Sequence, residues 1–322
     1  MTTDDHDPAS GAPSPAGETP TGPTTNGAGA AATTAVAAPP LERRHPVRRL
    51  LRRPVAVISL GFLLLVVLLA IFGDLVAPQG INEVDTSAML QAPSLAHPFG
   101  TDEVGRDILS RVILAAQISV QVSLVSVSIA LVAGVTLGLV SGFFRGILDT
   151  VIMRITDVMF AFPEMLLAMA VVAIMGKGTT SVTIAIAVVY TPIFARVTRA
   201  SALSVRTETY VSASRSLGAG PARLMLGHVL PNSVAPIIVQ TSLSLAFAIL
   251  SEAALSFLGL GVQQPTPSWG GMLNVAREFP QQWWMAVFPG MAVFLTVLSF
   301  NLLGDALRDV LDVRGTAGEE RR

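Results

Sequence analysis

Apolar residues gather along this chain into six blocks separated by shorter polar stretches. The first, VAVISLGFLLLVVLLAIFGDLVA at Val55–Ala77, is long enough to cross a hydrocarbon layer of ~30 Å at ~1.5 Å per residue. Five more follow at about Ile118–Val140, Thr156–Met175, Val182–Val197, Val234–Leu260 and Ala286–Leu303. The pattern predicts an all-α integral membrane protein with six transmembrane helices, which puts both termini on one side. With the amino terminus inside, seventeen of the 21 Lys and Arg residues fall in inner segments. Only Arg106, Arg111, Lys177 and Arg277 fall outside. Cytoplasmic loops carry the positive excess, so both termini are expected in the cytoplasm of a multi-pass protein of the cell membrane. Trp283 and Trp284 then stand at the outer end of the last span, where interfacial tryptophan is favoured.

Polar positions inside the blocks add detail. Gly134, Gly138 and Gly142 recur every four residues on one face of the second span, a spacing that lets helix backbones approach closely. The outer half of that span carries Gln117, Ser119, Gln121, Ser123, Ser126 and Ser128; the fifth carries Gln240, Thr241, Ser242, Ser244, Ser251 and Glu252. Two readings stand: a water-lined path between these helices, or polar packing within the bundle. Glu252 and Glu164 are ionisable groups inside spans; they face a cavity or subunit seam, or else form a structural pairing. Pro163 predicts a kink in the third span, and Arg154 and Asp157 are spaced to pair.

Composition supports a membrane protein: 51% of residues are hydrophobic and 13% charged, against about 25% charged in soluble domains. Residues 1–46 differ, being rich in Pro, Gly, Ala, Ser and Thr, and predict a disordered cytoplasmic tail. An arginine-rich stretch follows; the length of chain ahead of the first span and the lack of a small-x-small site before Pro78 argue for a retained anchor rather than a cleaved leader. A net charge of −1 gives no bulk attraction to nucleic acid, and the absence of cysteine excludes disulfides and thiol chemistry. His6, His45, His97 and His228 are too scattered for a metal site, so no metal is expected. GKGTT at Gly176–Thr180 lacks the spacing of a phosphate loop. No catalytic constellation is visible; if the chain moves solute uphill, the energy has to enter through a partner or an ion gradient.

The inner segment between the fourth and fifth spans predicts a helix over Leu203–Leu217, closed by Gly218 in a left-handed cap. Gly220 and Pro221 open a second helix that stops before Pro231, with Leu224, Met225, His228 and Val229 on one side. On the outside, HPFGTDEVGRD at His97–Asp107 predicts a capped amphipathic helix starting near Glu103, with Thr101 or Asp102 as its cap.

The helix–turn–helix resembles the cytoplasmic loop of ABC importer permeases: Glu-Ala-Ala, three residues, Gly, nine residues, then Ile-x-Leu-Pro. Ser212-Ala213-Ser214, Gly218 and His228-Val229-Leu230-Pro231 keep that spacing, with Ser212, Ser214 and His228 as departures. HPFGTDEVGRD, Tyr210–Asn232, PTPSWGGML at Pro265–Leu273 and GDALRDVLDVR at Gly304–Arg314 narrow the resemblance to the second (C-type) permease of the dipeptide, oligopeptide and nickel branch. Ala115-Ala116-Gln117 and Val313 depart from that branch. The resemblance covers most of residues 47–314 and implies the type I ABC importer transmembrane fold. It divides the chain into a tail (1–46), a segment of basic anchor, first span and extracytoplasmic stretch (47–116), a five-helix core with a coupling loop at 199–231 (117–314), and a tail (315–322). It also implies a non-catalytic subunit with no bound cofactor, ATP being used by two cytosolic ATPase partners. A second permease and an extracytoplasmic binding protein complete the machine, carrying di- or oligopeptides or nickel. The implied ATPase contact is Ser212, Ala213, Ser214, Arg215, Gly218, Pro221, His228, Leu230 and Pro231; Gln117, Gln121, Glu164, Gln240, Ser244 and Glu252 are candidates for the path or the subunit seam. The competing expectation, an ion-coupled transporter or channel subunit, requires a convincing internal repeat, and none is found.

Overall fold

The structure is a computed structural model that describes residues 50–311. The tails at 1–46 and 315–322 therefore lie outside the described residues. What is described is helical, in the order α1 (Pro54–Val76), α2 (Ile108–Phe144), α3 (Gly146–Phe160), α4 (Glu164–Met175), α5 (Thr179–Arg206), α6 (Thr209–Ser216), α7 (Pro221–Leu224), α8 (Leu230–Phe257), α9 (Trp269–Ala276) and α10 (Trp283–Leu311). Five runs are long and apolar enough to span a bilayer alone: α1, α2, α5, α7–α8 taken together, and α10. The third span is different. α3 and α4 meet at 95° across Ala161–Pro163, so the block expected over Thr156–Met175 is a broken pair rather than one kinked helix. Pro163 ends the turn because its ring removes an N–H and restricts the residue before it.

α2 and α5 form the most extensive helix pair. The glycine stripe of α2 makes it possible. A Cβ built on Gly134 would stand 2.6 Å from the Thr191 carbonyl oxygen, and one on Gly138 2.5 Å from that of Ala195. Gly142 meets Ala202 in the same way. The seam continues into a core of Val122, Val127 and Ala130 from α2, Val172 from α4, and Ile186, Tyr190 and Phe194 from α5. α1 is mostly exposed apolar surface and packs through Leu63 and Val66, as suits a helix at the lipid edge of a bundle.

Many hydroxyls within the spans are satisfied by their own helix. Ser123, Ser128, Thr136, Thr191, Thr241 and Thr296 each donate to the carbonyl four residues back. A hydroxyl so bonded costs little in hydrocarbon. The polar half of α2 therefore splits. Ser119, Ser123 and Ser126 turn into the chain, while Gln117, Gln121 and Ser128 face outward with Val132 and Thr136.

α3 lies across α5, held by two ion pairs. Asp149 accepts from Arg199 Nε and Nη2 at 2.6 and 2.8 Å, and Asp157 pairs with Arg196 at 2.9 Å. Asp157 thus takes Arg196 rather than the expected Arg154. Arg196 also stacks over Phe160 at 4.1 Å, so its charge and its stem both hold α3. Asp149→Asn is expected to lower stability by about 1 kcal/mol, measured as thermal inactivation in detergent. The double exchange Asp149→Arg with Arg199→Asp is expected to recover most of that loss.

Candidate functional site

The end of the bundle where α2 and α5 finish carries Arg145, Arg206, Arg215 and Arg223, and is called here the arginine-rich end. α5 runs on to Arg206, so the helix expected over Leu203–Leu217 is split at Thr207–Glu208 and restarts as α6. α6 closes as expected at Gly218, whose φ is +86°. The Gly218 N–H donates to Arg215 O at 3.0 Å and the Ala219 N–H to Ser214 O at 3.1 Å, a closure available only with a left-handed residue there. Gly220 caps α7 and Pro221 takes its first position, where a missing N–H costs nothing.

The chain does not stop before Pro231. α7 passes into a π turn, Met225–Val229, in which the Leu230 N–H donates to Met225 O, and α8 follows without a break. Proline cannot supply the N–H for the next α-type bond; one wide turn absorbs the mismatch, and the helix continues through Pro231.

The side of this segment that carries Leu224 and Val229 is turned inward. Val211, Leu224 and Val229 are buried against Leu139, Phe143 and Ala202 from the ends of α2 and α5. Arg206 Nη1 donates to Phe143 O at 2.8 Å, and the Arg206 and Arg215 guanidiniums both lie 5.9 Å from the Phe143 ring. The turn is therefore seated firmly on the bundle. Its outward face carries Tyr210, Ser212, Ala213, Arg215, Leu217, Gly218, Pro221 and Arg223, with Leu217 89% exposed. Leu217 and Tyr210 were not singled out from sequence; an apolar residue immediately before a cap glycine was the available signal. His228 and Leu230 are half-buried and Pro231 exposed, while Ser214 donates to Tyr210 O within α6.

The path candidates separate into two groups. Gln117, Gln121 and Glu164 are exposed on an unpaired face. Gln240 is half-buried and donates to Ser244 Oγ at 3.1 Å, while Ser244 and Glu252 are buried within this chain. For those two the expectation of a path or seam surface is not met in this conformation. Neighbouring helices cover them.

A model of the family described as "Binding-protein-dependent transport system inner membrane component" matches residues 134–315. One described as the N-terminal TM domain of oligopeptide transport permease C matches residues 45–93. A dipeptide transport system permease protein of Alkalihalophilus pseudofirmus is 44% identical over 270 residues, 84% of this chain and 89% of the relative. A glutathione transport system permease protein of Pectobacterium atrosepticum is 45% identical over 270 residues, 82% and 89% of the two chains. A di/tripeptide permease of Pseudomonas aeruginosa is 48% identical over 261 residues, 79% and 86%. The chain belongs to the family of binding-protein-dependent transport system inner membrane components.

The end of the permease opposite the arginine-rich end is built from two connecting segments. HPFGTDEVGRD forms no helix starting near Glu103. It is a turn closed by a bridge between Thr101 and Asp107, and Asp107 is the cap of α2, accepting from the Ser110 N–H at 2.8 Å. Asp102 accepts from Arg106 Nε at 2.6 Å, and Arg106 Nη2 donates to Glu103 at 2.9 Å. Burial, then the charge of Asp102, holds the Glu103 carboxyl above the usual carboxylate range. Trp283 is exposed, but Trp284 is buried and donates to Thr101 O at 3.2 Å, so only the first of the pair is free to sit at an interface. Beside this network a cleft is lined by Arg106, Arg111, Gln264, Thr266, Ser268 and Met272.

Proposed function

We propose that this permease forms, with a second permease, the translocation path of an ATP-driven peptide importer, and that the outward face of Tyr210–Arg223 is where the ATPase subunits push. The observation that carries this is the seating of the turn. Its apolar side is locked onto α2 and α5, so force on its exposed side reaches the spans instead of bending a loop. Family membership supports a binding-protein partner. The names of the relatives, for dipeptides, di/tripeptides and glutathione, support a peptide-class substrate, and none of the three names nickel. In this reading the arginine-rich end faces the cytoplasm, as the positive excess requires, and both tails lie there. Two cytosolic ATPases bind and hydrolyse ATP, and the permease itself holds no cofactor. The exposed stripe of Gln117, Gln121 and Ser128 on α2, with Glu164 at the start of α4, faces the path or the second permease.

The test is purification of the tagged chain from its own host, together with uptake in a strain lacking it. An ATPase and a second permease are expected to co-purify, and labelled dipeptide or glutathione uptake to disappear in the deletion strain while Ni²⁺ uptake persists. Co-purification of neither partner, or loss of Ni²⁺ uptake alone, overturns the proposal.

A further inference from the structure

Among the described residues Glu252 is the one carboxylate residue with no exposed surface. It sits near the end of α8, and no guanidinium pairs with it among the described residues. Oε1 accepts from Ser256 Oγ at 2.8 Å; Oε2 has no hydrogen-bond partner, although the Ser119 and Ser268 hydroxyls stand beside the carboxyl. These three serines belong to three different segments. Ser256 is on α8, Ser119 is on α2, and Ser268 is the cap of α9, its Oγ accepting from the Gly271 N–H at 3.1 Å. The first N–H of α9, that of Trp269, points at Ser119 Oγ at 3.4 Å. Packing repeats the same three-way contact. A Cβ on Gly270 would stand 2.6 Å from Ala253 Cα, so α9 starts directly on the α8 backbone, one residue from Glu252. Trp269 is buried with its Nε1–H donating to Val112 O on α2 at 3.0 Å.

A buried carboxylate without a cation is costly unless donors converge on it. Here the Ser256 hydroxyl donates to Oε1, and the Ser119 and Ser268 hydroxyls beside the carboxyl themselves accept the Trp269 and Gly271 N–H groups that open α9. We infer that Glu252 is a positioning residue: it seats the start of α9 against α2 and α8, so that the outer segment from Leu258 to Arg277 moves with those two helices. That segment lines the cleft beside Arg106 and Arg111 and is exposed over Gln263–Thr266. On the importer reading, on which this inference rests, a fixed α9 presents that exposed stretch to the binding protein.

The experiment uses the complete transporter with its binding protein, reconstituted from wild type and from Glu252→Ala and Glu252→Gln. For Glu252→Ala the binding-protein concentration giving half-maximal ATPase stimulation is expected to rise about tenfold, with the maximal rate changed by less than about twofold. Gln keeps an oxygen for Ser256 and is expected to stay within about threefold of wild type. A separate readout does not depend on transport. The chain has no cysteine, so Ala276→Cys, buried on α9, gives a single label site. Thiol labelling there is expected to be about tenfold faster with Glu252→Ala than with Glu252 present, because unseating α9 opens its contact locally. If Glu252→Ala does not assemble, the double variant Ser119→Ala with Ser268→Ala decides by the same two readouts. Unchanged half-saturation with unchanged labelling overturns the inference, as does a loss of maximal rate alone. Faster labelling in a chain that no binding protein stimulates, even as wild type, leaves the seat standing and overturns the importer reading.

Discussion

Replacing Gly138 with leucine is expected to remove the folded permease from the membrane. The Cβ alone would stand 2.5 Å from the Ala195 carbonyl oxygen, 2.7 Å from Thr198 Cβ and 3.0 Å from the Arg199 N–H nitrogen. Two of those three atoms are backbone, so no rotamer change relieves the clash. The helices have to separate along the most extensive pair in the fold, at a cost above the ~1–3 kcal/mol of an ordinary overpacked core. Membrane helices gain their association from close packing rather than from the hydrophobic effect, so a lost seam is not replaced by collapse elsewhere. The measurement is the amount of full-length chain in the membrane fraction, with Gly61→Leu as control. Gly61 has no atom within 4 Å of its built Cβ, and its variant is expected to accumulate normally. Normal accumulation of Gly138→Leu would show that the α2–α5 seam is not what holds the bundle.

Gly218→Val is expected to behave in the opposite way, accumulating in the membrane while transport falls by at least about tenfold. Nothing lies within 4 Å of a Cβ on Gly218, so space is not the obstacle. The obstacle is φ of +86°, which costs an L-residue roughly 1–2 kcal/mol and a β-branched one more. The chain relieves that strain by opening the turn, which moves Leu217 and Arg215 from the face proposed to meet the ATPase. Asparagine tolerates the left-handed region, so transport should fall in the order Gly, Asn, Ala, Val. Equal transport across the series would remove the turn from the coupling route. Because Gly138 and Gly218 fail for different reasons, one assay of protein amount and one of uptake separate them.

Much of this was legible in the sequence, for identifiable reasons. Length and hydropathy placed the spans, because hydrocarbon thickness is a fixed ruler. The Gly134–Gly138–Gly142 spacing marked a close seam, and Gly218, Gly220 and Pro221 marked a turn, because each is a local backbone requirement. Properties set by tertiary context were not legible. Leu224 and Val229 were placed on one side of the second helix, but an amphipathic pattern does not say whether its apolar side meets the same chain or another. Thr101 and Asp102 were the expected caps, yet Asp107 starts α2, in a turn closed by its bridge to Thr101. Arg154 stood at the right spacing for Asp157, yet Arg196, from another helix, reached it. The environment of Glu252 needed three segments far apart in sequence, two of them contributing a single serine each.

The π turn at Met225–Val229 has a mechanical consequence. Without it Pro231 would place a joint between the turn and the fifth span. With it, Pro221 to Phe257 is one run of 37 residues, about 55 Å long at ~1.5 Å per residue. Tilting a rod of that length by about 10° around its midpoint carries each end sideways by about 5 Å. Arg223 rides near one end and Glu252 near the other. This lever crosses the whole bundle, so a few degrees imposed on one side of the membrane reach the far side in the opposite direction.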